Sequence, residues 1–295
     1  MRAVVIVDGR LVIEERPDPV PGDGEILIHV RAAGINGADI MQRAGNYPAP
    51  QGASQDIPGL ECAGETESGQ HVMALLPGGG HAELVVVHES HVLPVPDSVA
   101  WPEAGGFVEA FATAHDALFT QAELMSGERL LVNGAAGGVG SAGVQLGAEA
   151  GASVTGTARH HLEEILELGA ADTKASGKYD VILELVGGDN LRKDLQRLEL
   201  GGRLAVIGVG AGSTAELNFH ELMRARGRIH GSTLRSRSRP EKADVIRRLH
   251  EDVLPLLAEG RVVVPVHATY PLEQAQDAYD AFAAGGKFGK IVLLP

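Results

Sequence analysis

A glycine-rich turn is the part of this sequence best suited to chemistry. The apolar run 130–133 is followed by glycines at positions 134, 137, 138 and 140, where a helical pattern begins. Glycine lets the backbone turn sharply and approach a ligand, and the first turn of a helix offers free N–H groups to a phosphate. The spacing therefore predicts a dinucleotide pyrophosphate site, with a turn that serves packing alone as the alternative. The residues expected to approach the pyrophosphate here are Gly134 and Gly137, and Gly140 is expected to let the helix pack close to the strand.

The end of the next apolar run indicates which dinucleotide binds. A carboxylate about 20 residues beyond the turn would bind the ribose 2′-hydroxyl of NAD. Here the run 152–157 is followed by Arg159, and no acidic residue comes before Glu163. Arginine is a permanently charged, planar donor that suits a 2′-phosphate. We therefore expect NADPH, bound near Thr157 and Arg159; the alternative is that Arg159 is a solvated loop residue.

Three other features, a histidine group, a cysteine and a basic segment, are better explained by a structural role than by catalysis or ligand binding. His81, His88 and His91 form the densest histidine group, but zinc needs three or four converging ligands and no thiol is nearby, so we expect a surface loop. Cys62 has no sequence neighbour that would obviously lower its pKa, so we expect it to be buried. The basic segment 235–239 is expected to be a solvated crossover between domains, with phosphate binding as the alternative. A serine-hydrolase elbow, Gly-x-Ser-x-Gly, is absent.

The elements that must position these residues change character near Pro102. Before it, short apolar runs broken by Gly and Pro are typical of a mostly β region. From Arg129 onward, apolar runs alternate with helical patterns, which indicates parallel βαβ units. The pattern predicts an α/β domain inserted into a β-rich domain that is built from both chain ends. In the last part of the chain it predicts a helix at about 240–259, a strand at 262–266, a helix near 272–284 and a strand at 290–294.

Length and composition limit the function classes. The chain has 295 residues, which suggests about two domains, and a net charge of −14, which argues against a nucleic-acid partner. A single cysteine excludes a disulfide framework and fits a reducing compartment. No apolar run approaches the roughly 18 to 20 residues of a membrane span, and the N-terminal residues alternate like a strand rather than a signal peptide. We therefore expect a cytoplasmic protein with no membrane partner.

The glycine turn and the segments around it make the whole chain resemble the medium-chain dehydrogenase/reductase superfamily. The resemblance is to its zinc-free quinone oxidoreductase branch, which includes the zeta-crystallin-like enzymes. It extends over nearly the full length in the order that the family has. The resembling segments are 32–39 (AAGINGAD), 45–48 (GNYP), 58–61 (PGLE), 76–80 (LPGGG), 92–96 (VLPVP), 133–140 (NGAAGGVG), 231–237 (GSTLRSR) and 289–293 (GKIVL).

The resemblance implies a reductase that works without zinc. Zinc-dependent relatives place a cysteine after the second catalytic-domain strand and a histidine before the Glu of a Gly-His-Glu motif. This chain has Gly37 and Ala38 in the first region and Leu60 before Glu61, and the four-cysteine structural lobe is missing. The family fold would be a Rossmann-type doubly wound parallel sheet domain, 114–236, inserted into a mostly β GroES-like catalytic domain, 1–113 and 237–295.

The resemblance also implies roles for individual residues. Asn36 and Tyr47 would line the substrate and nicotinamide pocket, where Asn36 or Tyr47 would donate a hydrogen bond to the substrate oxygen. Gly137, Gly138 and Val139 would meet the pyrophosphate. Thr113, Gly208 and Leu234 would lie near the nicotinamide. The implied activity is NADPH-dependent hydride transfer to a quinone. The alternatives are an alkenal or enoyl reductase that acts on α,β-unsaturated carbonyls, and a non-catalytic protein that binds NADPH or RNA.

The chain departs from the family pattern at three places, and the resemblance also contributes to the prediction of a partner. The usual Ser-x-x-Lys after the second strand is replaced by residues 158–161 (ARHH), and the tyrosine that often helps to bind the 2′-phosphate is missing, so the NADPH preference depends mainly on Arg159. The segment 64–70 is shorter than is usual in the family. The last strand of the α/β domain, expected at 228–234, is a plausible sheet edge, and together with the resemblance it predicts a homodimer.

Overall fold

The computed structural model describes all 295 residues and divides into two units. The β-rich unit comprises Met1–Ala112 and Leu234–Pro295, and the α/β unit comprises Thr113–Thr233. The strands are β1 (Arg2–Val7), β2 (Arg10–Glu15), β3 (Glu25–Gly34), β4 (Glu61–Thr66), β5 (His71–Leu75), β6 (Leu84–His88), β7 (Val92–Pro94), β8 (Arg129–Asn133), β9 (Ser153–Thr157), β10 (Tyr179–Glu184), β11 (Leu198–Val206), β12 (Arg228–Gly231), β13 (Val266–Pro271) and β14 (Lys290–Leu294).

The α-helices are shorter and fall mainly between the parallel strands and near the C-terminus. They are α1 (Gly37–Arg43), α2 (Trp101–Gly105), α3 (Val108–His115), α4 (Gly138–Glu149), α5 (Leu162–Glu167), α6 (Asn190–Arg197), α7 (Phe219–Ala225), α8 (Arg239–Asp252), α9 (Leu254–Ala258) and α10 (Ala275–Ala284). None of the helices is both long and apolar enough to cross a membrane.

The α/β unit contains a five-stranded, fully parallel sheet in the order β12-β11-β10-β8-β9. Its central strands, β8 and β10, are almost continuously buried, as expected for strands covered on both faces. The chain leaves β8 toward β9 on one side and then returns to β10 on the other. Ligands of open α/β sheets bind at such a switch point, outside the carboxyl ends of the strands.

Close packing of α4 on this sheet explains part of the glycine content. A Cβ at Gly143 would lie 2.7 Å from the Leu183 side chain, and one at Gly147 would lie 2.5 Å from Leu130. Both contacts are shorter than real Cβ atoms make, so the helix approaches the sheet as closely as it does because these positions carry no side chain. The close approach holds the N-terminus of α4 at the carboxyl end of β8.

The β-rich unit contains a seven-stranded sheet with the path β13-β14-β3-β4-β5-β7, and β6 pairs with β3. A separate hairpin, β1-β2, turns at Asp8 and Gly9, which both have positive φ, as an Asp-Gly pair in a two-residue hairpin loop requires. The side chains of Ile28, Val30, Cys62 and Leu76 are among those that form the buried core beside β3 and β4. The Rossmann-type sheet and the separate β-rich sheet confirm the predicted fold class.

The predicted elements differ from the observed ones mainly near the C-terminus. The helix expected at 240–259 is two helices, α8 and α9, because Pro255 lies in the first turn of α9 and cannot continue a preceding helix. The strand expected at 262–266 is wrong: β13 begins at Val266. The strand expected at 228–234 ends at Gly231, although β12 does form an edge of the sheet. The sequence pattern also predicts helices that begin at Gly138, Leu162 and Asn190, and α4, α5 and α6 begin at these residues.

Candidate active site

The glycine turn lies between β8 and α4 at the carboxyl edge of the parallel sheet. Gly134 adopts φ +82°, and the N–H groups of Gly134 and Ala135 both donate to the Thr157 carbonyl oxygen at 3.0 Å. A Cβ at Gly140 would lie 2.2 Å from the Gly134 carbonyl oxygen, so no other residue fits there without moving the backbone. The predicted arrangement of strand, turn and helix is therefore confirmed.

The N-terminus of α4 is suited to a phosphate. Gly137 is the N-cap residue, it carries no capping side chain, and no acidic residue lies in the first turn. A Cβ at Gly137 would meet only the Gly134 carbonyl oxygen, at 3.5 Å. The first N–H groups of a helix have no intrahelical acceptor, and the helix dipole favours an anion there. These residues fit a pyrophosphate group, and Gly137, Gly138 and Val139 are the residues that would hold it.

A buried polar network lies under this turn and joins the carboxyl ends of three strands. The Thr157 hydroxyl donates to Asn133 Oδ1 at 2.8 Å, and Asn133 Nδ2 donates to Glu184 Oε2 at 2.7 Å and to Asp194 Oδ1 at 2.9 Å. Glu184 Oε1 accepts from the backbone N–H groups of Val186 and Gly187 at 2.5 and 2.7 Å. The network therefore fixes the ends of β8, β9 and β10 relative to one another.

Asp194 is a buried acid with a raised pKa in this network. Burial and the neighbouring Glu184 carboxylate raise the pKa of Asp194 to about 8. Asp194 is 1% exposed, and its second oxygen, Oδ2, accepts no hydrogen bond from an N–H or O–H group of the protein. A neutral acid next to a carboxylate avoids two buried negative charges in contact. The pair of Glu184 and Asp194 was not predicted from the sequence. The available signal was that a polar residue ends each of the three consecutive strands β8, β9 and β10.

The other predicted cofactor residues of the α/β unit lie at three places. Gly208 follows β11, and its missing Cβ would lie 2.4 Å from the Leu185 carbonyl oxygen, so the backbone segments approach closely there. Arg159 is exposed in the loop after β9, and its guanidinium makes no hydrogen bond or ion pair. Thr113 is the first residue of the unit and is partly exposed. Leu234, in contrast, belongs to the β-rich unit and is 5% exposed.

Asn36 is the N-cap residue of α1 in the β-rich unit and forms a capping box with Asp39. Its side chain is oriented by charged neighbours: Nδ2 donates to Glu61 Oε1 at 2.9 Å, and Oδ1 accepts from Lys290 Nζ at 2.6 Å. The remaining amide contact, to the Gly34 carbonyl oxygen, is 3.4 Å long and therefore weak. One amide proton of Asn36 is thus only loosely engaged within the protein.

A buried ion pair holds Asn36 in this orientation. Lys290 Nζ donates to Glu61 Oε1 at 2.6 Å, and the two side chains are 3% and 1% exposed. Lys290 also donates to the Ile35 carbonyl oxygen at 3.1 Å, and the other Glu61 oxygen accepts the Glu109 backbone N–H at 2.9 Å. Every strong donor and acceptor of the pair is therefore used, as a buried ion pair requires. Sequence reasoning missed the pair; a lysine that opens a buried strand is the signal that a partner exists.

Gly37, Ala38 and Leu60 have no side-chain atom that could bind a metal ion. Gly37 opens α1, and Leu60 is 1% exposed within the apolar core. No group of three or more His, Cys, Asp or Glu side chains in the protein is arranged to hold a metal ion.

A buried arginine contacts both the backbone and the ring of Tyr47. Arg235 Nη1 donates to the Tyr47 carbonyl oxygen at 3.0 Å, and the guanidinium carbon lies 5.2 Å from the centre of the Tyr47 ring. The same guanidinium donates to the Pro77 carbonyl oxygen at 2.9 Å and to Gln42 Oε1 at 2.6 Å. Arg235 is 4% exposed, and burial lowers its pKa. The expectation of a solvated segment at 235–239 is therefore wrong for Arg235, because three separate segments of the β-rich unit cover it.

The histidines and the cysteine also have structural surroundings. His81 is fully buried, where its ring contacts the Tyr279 hydroxyl at 2.9 Å and burial lowers its pKa. His91 is also buried and bonds to the Arg239 carbonyl oxygen at 3.1 Å, so the expected surface loop is wrong for both rings. Cys62 is fully buried, as predicted, and burial raises the pKa of its thiol.

Comparisons with known proteins agree with this geometry. Residues 22–97 match the family model of the alcohol dehydrogenase GroES-like domain, and residues 147–293 match that of the zinc-binding dehydrogenases. The quinone oxidoreductase of Rattus norvegicus is 31% identical over 100% of this chain and 98% of its own length, and that of Homo sapiens is 30% identical with the same coverage. The chain belongs to the quinone oxidoreductase family of medium-chain dehydrogenases/reductases. It is therefore an oxidoreductase, and the resemblance to this family is confirmed.

A solved structure supports the assignment at the level of the fold. The quinone oxidoreductase of Thermus thermophilus, which was determined alone and in complex with NADPH, superposes with a TM-score of 0.90 at 32% identity and 100% coverage of both chains. The superposition therefore includes both the GroES-like part and the Rossmann-type part of this member of the quinone oxidoreductase family.

Proposed function

We propose that this protein is an NADPH-dependent quinone reductase that transfers hydride without zinc. The observation that carries the proposal is the glycine turn at the switch point of the parallel sheet, in a chain similar over its full length to proteins named quinone oxidoreductase. The Thermus thermophilus relative was determined in complex with NADPH, which supports the choice of cofactor.

The proposed cofactor contacts begin with the glycine turn. Backbone N–H groups at Gly137, Gly138 and Val139 bind the pyrophosphate, and Gly134 lets the backbone come close to it. Arg159 binds the 2′-phosphate, since its guanidinium is exposed and no carboxylate of the protein neutralises it. Other residues proposed to contact the cofactor are Thr157, beside the adenine ribose, and Thr113, Gly208, Asn36 and Leu234, beside the nicotinamide.

NADPH, when bound, supplies the hydride, and the protein supplies position and hydrogen bonds. Negative charge develops on the quinone oxygen as hydride arrives at the ring. The Tyr47 hydroxyl and the loosely engaged amide proton of Asn36 are the donors proposed to stabilise that oxygen. Arg235 keeps the Tyr47 segment in place, and the Lys290–Glu61 pair keeps the Asn36 amide oriented.

The test is a set of initial rates of NADPH oxidation with phenanthrenequinone, benzoquinone and a 2-alkenal. Turnover with the quinones supports the proposal, whereas turnover with the alkenal alone assigns the enoyl-type reduction instead. NADPH binding without any turnover would leave only a binding function. Tyr47→Phe is the matched variant: unchanged turnover would remove the hydroxyl from the mechanism without affecting the assigned fold.

We also propose a homodimer that forms through the β12 edge of the parallel sheet. The edge presents unpaired backbone groups, and Ile229 on it is 37% exposed. Phe219 and Met223, four residues apart on α7, are 68% and 71% exposed, and such apolar surface favours contact with a second copy. Light scattering on a sizing column should give twice the chain mass, and a monomer at micromolar concentration would contradict the proposal.

A further inference from the structure

Glu109 is a carboxyl group next to the candidate active site that the mechanism above does not use. It lies in the first turn of α3, and its backbone N–H donates to Glu61 Oε2 at 2.9 Å. The Glu61 carboxylate thus bridges the Glu109 backbone and Asn36, since the Asn36 amide donates to its other oxygen at 2.9 Å. The Glu109 carboxyl itself accepts no hydrogen bond from the protein and forms no ion pair, and the residue is partly exposed.

The charges that face Glu109 are mixed and do not form a direct pair with it. The carboxylates of Glu61 and Asp39 raise its pKa, and the ammonium groups of Lys290 and Lys242 lower it. Arg235 is also within electrostatic range. Burial is the largest influence, and the resulting pKa is about 8. At pH 7 the Glu109 carboxyl is therefore mostly protonated, which is the state that a proton donor needs.

The other acids of this cluster are closed off from solvent and have partners within the protein. Glu61 is fully buried and paired with Lys290. Asp39 is fully buried, and its two oxygens accept the backbone N–H groups of Asn36 and Gly59 at 2.8 and 2.9 Å. Glu109 alone combines partial exposure with a free carboxyl, so it alone can release a proton and take another from water.

We propose that Glu109 is the proton donor of the reduction, a proposal that rests on the quinone reductase function proposed above. Hydride addition to the quinone leaves a hydroquinone monoanion. The O–H bond of the Glu109 carboxyl breaks as a new O–H bond forms on the anionic oxygen, and the Glu109 carboxylate then takes one proton from solvent. Quinone, one hydride and one proton give hydroquinone, so no further reactant is needed.

The test compares Glu109→Gln, Glu109→Asp and the control Glu89→Gln by the pH dependence of kcat/KM for a quinone from about pH 6 to about pH 10. Glu89 is an exposed glutamate of the same unit whose side chain makes no hydrogen bond. We expect wild-type kcat/KM to fall above a pKa near 8. Glu109→Gln should lower kcat/KM at neutral pH about 100-fold and remove the decrease at high pH, Glu109→Asp should restore part of it, and Glu89→Gln should match wild type.

A second measurement reports on the carboxyl group without turnover. The infrared carbonyl band of a protonated acid should titrate with a pKa near 8 in wild type and disappear in Glu109→Gln. NADPH binding, followed by its fluorescence, should change less than about threefold in that variant, because a proton donor to the substrate does not hold the cofactor.

The outcomes separate this proposal from the proposed function. Wild-type quinone turnover with an unaltered rate and profile in Glu109→Gln would overturn the role of Glu109 alone. The same holds if Tyr47→Phe, rather than Glu109→Gln, removes the decrease above a pKa near 8, or if the infrared band is absent. Absence of turnover with any quinone in wild type would overturn the proposed function itself and this role with it.

Discussion

Replacing Arg235 tests whether one buried guanidinium holds together the wall that carries Tyr47. Arg235→Ala removes the donors for the Pro77 carbonyl oxygen, the Tyr47 carbonyl oxygen and Gln42 Oε1, and it removes the cation beside the Tyr47 ring. At about 1 kcal/mol for each hydrogen bond and about 1 kcal/mol for the ring contact, the free energy of unfolding should fall by about 4 kcal/mol.

Lysine is the informative comparison because it keeps the charge but not the planar set of donors. Its ammonium is a single point and cannot reach three acceptors on three segments, so Arg235→Lys should lose about 2 kcal/mol. Both variants should also lower kcat/KM for a quinone, since the Tyr47 segment is released. Arg239→Ala is the matched control: that side chain is exposed and makes no hydrogen bond, so its cost should stay below about 0.5 kcal/mol.

The assay is urea unfolding followed by the fluorescence of Trp101. This is the single tryptophan of the chain and lies in α2 of the β-rich unit, so the signal reports on the unit that contains Arg235. The slope of the transition should be the same in all variants, which would show that only stability has changed. A loss below about 1 kcal/mol for Arg235→Ala, or an equal loss for Arg239→Ala, would show that the Arg235 guanidinium does not hold this wall together.

Three further predictions concern other buried or charged groups. Arg159→Ala should raise the Kd for NADPH at least about tenfold and leave that for NADH unchanged, since only the former carries the 2′-phosphate; equal changes in fluorescence titrations would contradict the role. The pKa of Asp194 is raised to about 8 in the native state, so the native protein keeps a proton there that the unfolded chain releases above about pH 4. The free energy of unfolding of wild type should therefore fall as the pH rises from about 4 to about 8. Asp194→Asn lacks this group, so its free energy of unfolding, followed by circular dichroism, should rise relative to that of wild type across the same range, and a difference that does not change with pH would argue against the buried acid. Cys62, fully buried with a raised pKa, should react with a thiol reagent only after unfolding, and rapid labelling of the native protein would contradict its burial.

The features that backbone geometry imposes could be predicted from the sequence. Gly134 and Gly140 occupy positions where a positive φ or a close approach leaves no room for another residue, so the turn and the start of α4 were predictable from residue type alone. Pro255 is also a helix-breaking signal in the sequence, although the pattern predicts one helix across it and the structure has two.

The buried charges could not be predicted in the same way. The sequence does not show which residues surround Arg235 and Lys290, because those residues come from segments far away. Gln42, Tyr47 and Pro77 cover Arg235, and Asn36 and Glu61 pair with Lys290. Charge in a sequence indicates the need for a partner or for water, but not which of the two the fold supplies.

Hydride transfer from NADPH to a quinone can be observed in a single-turnover experiment. Protein loaded with NADPH carrying deuterium at the transferred position is mixed with phenanthrenequinone, and the loss of reduced nicotinamide is followed beside the unlabelled cofactor. We predict that one equivalent of hydroquinone forms and that deuterium slows the step, because the transferred atom moves in it. Bound NADPH that is not oxidised by the quinone would contradict the proposed hydride transfer.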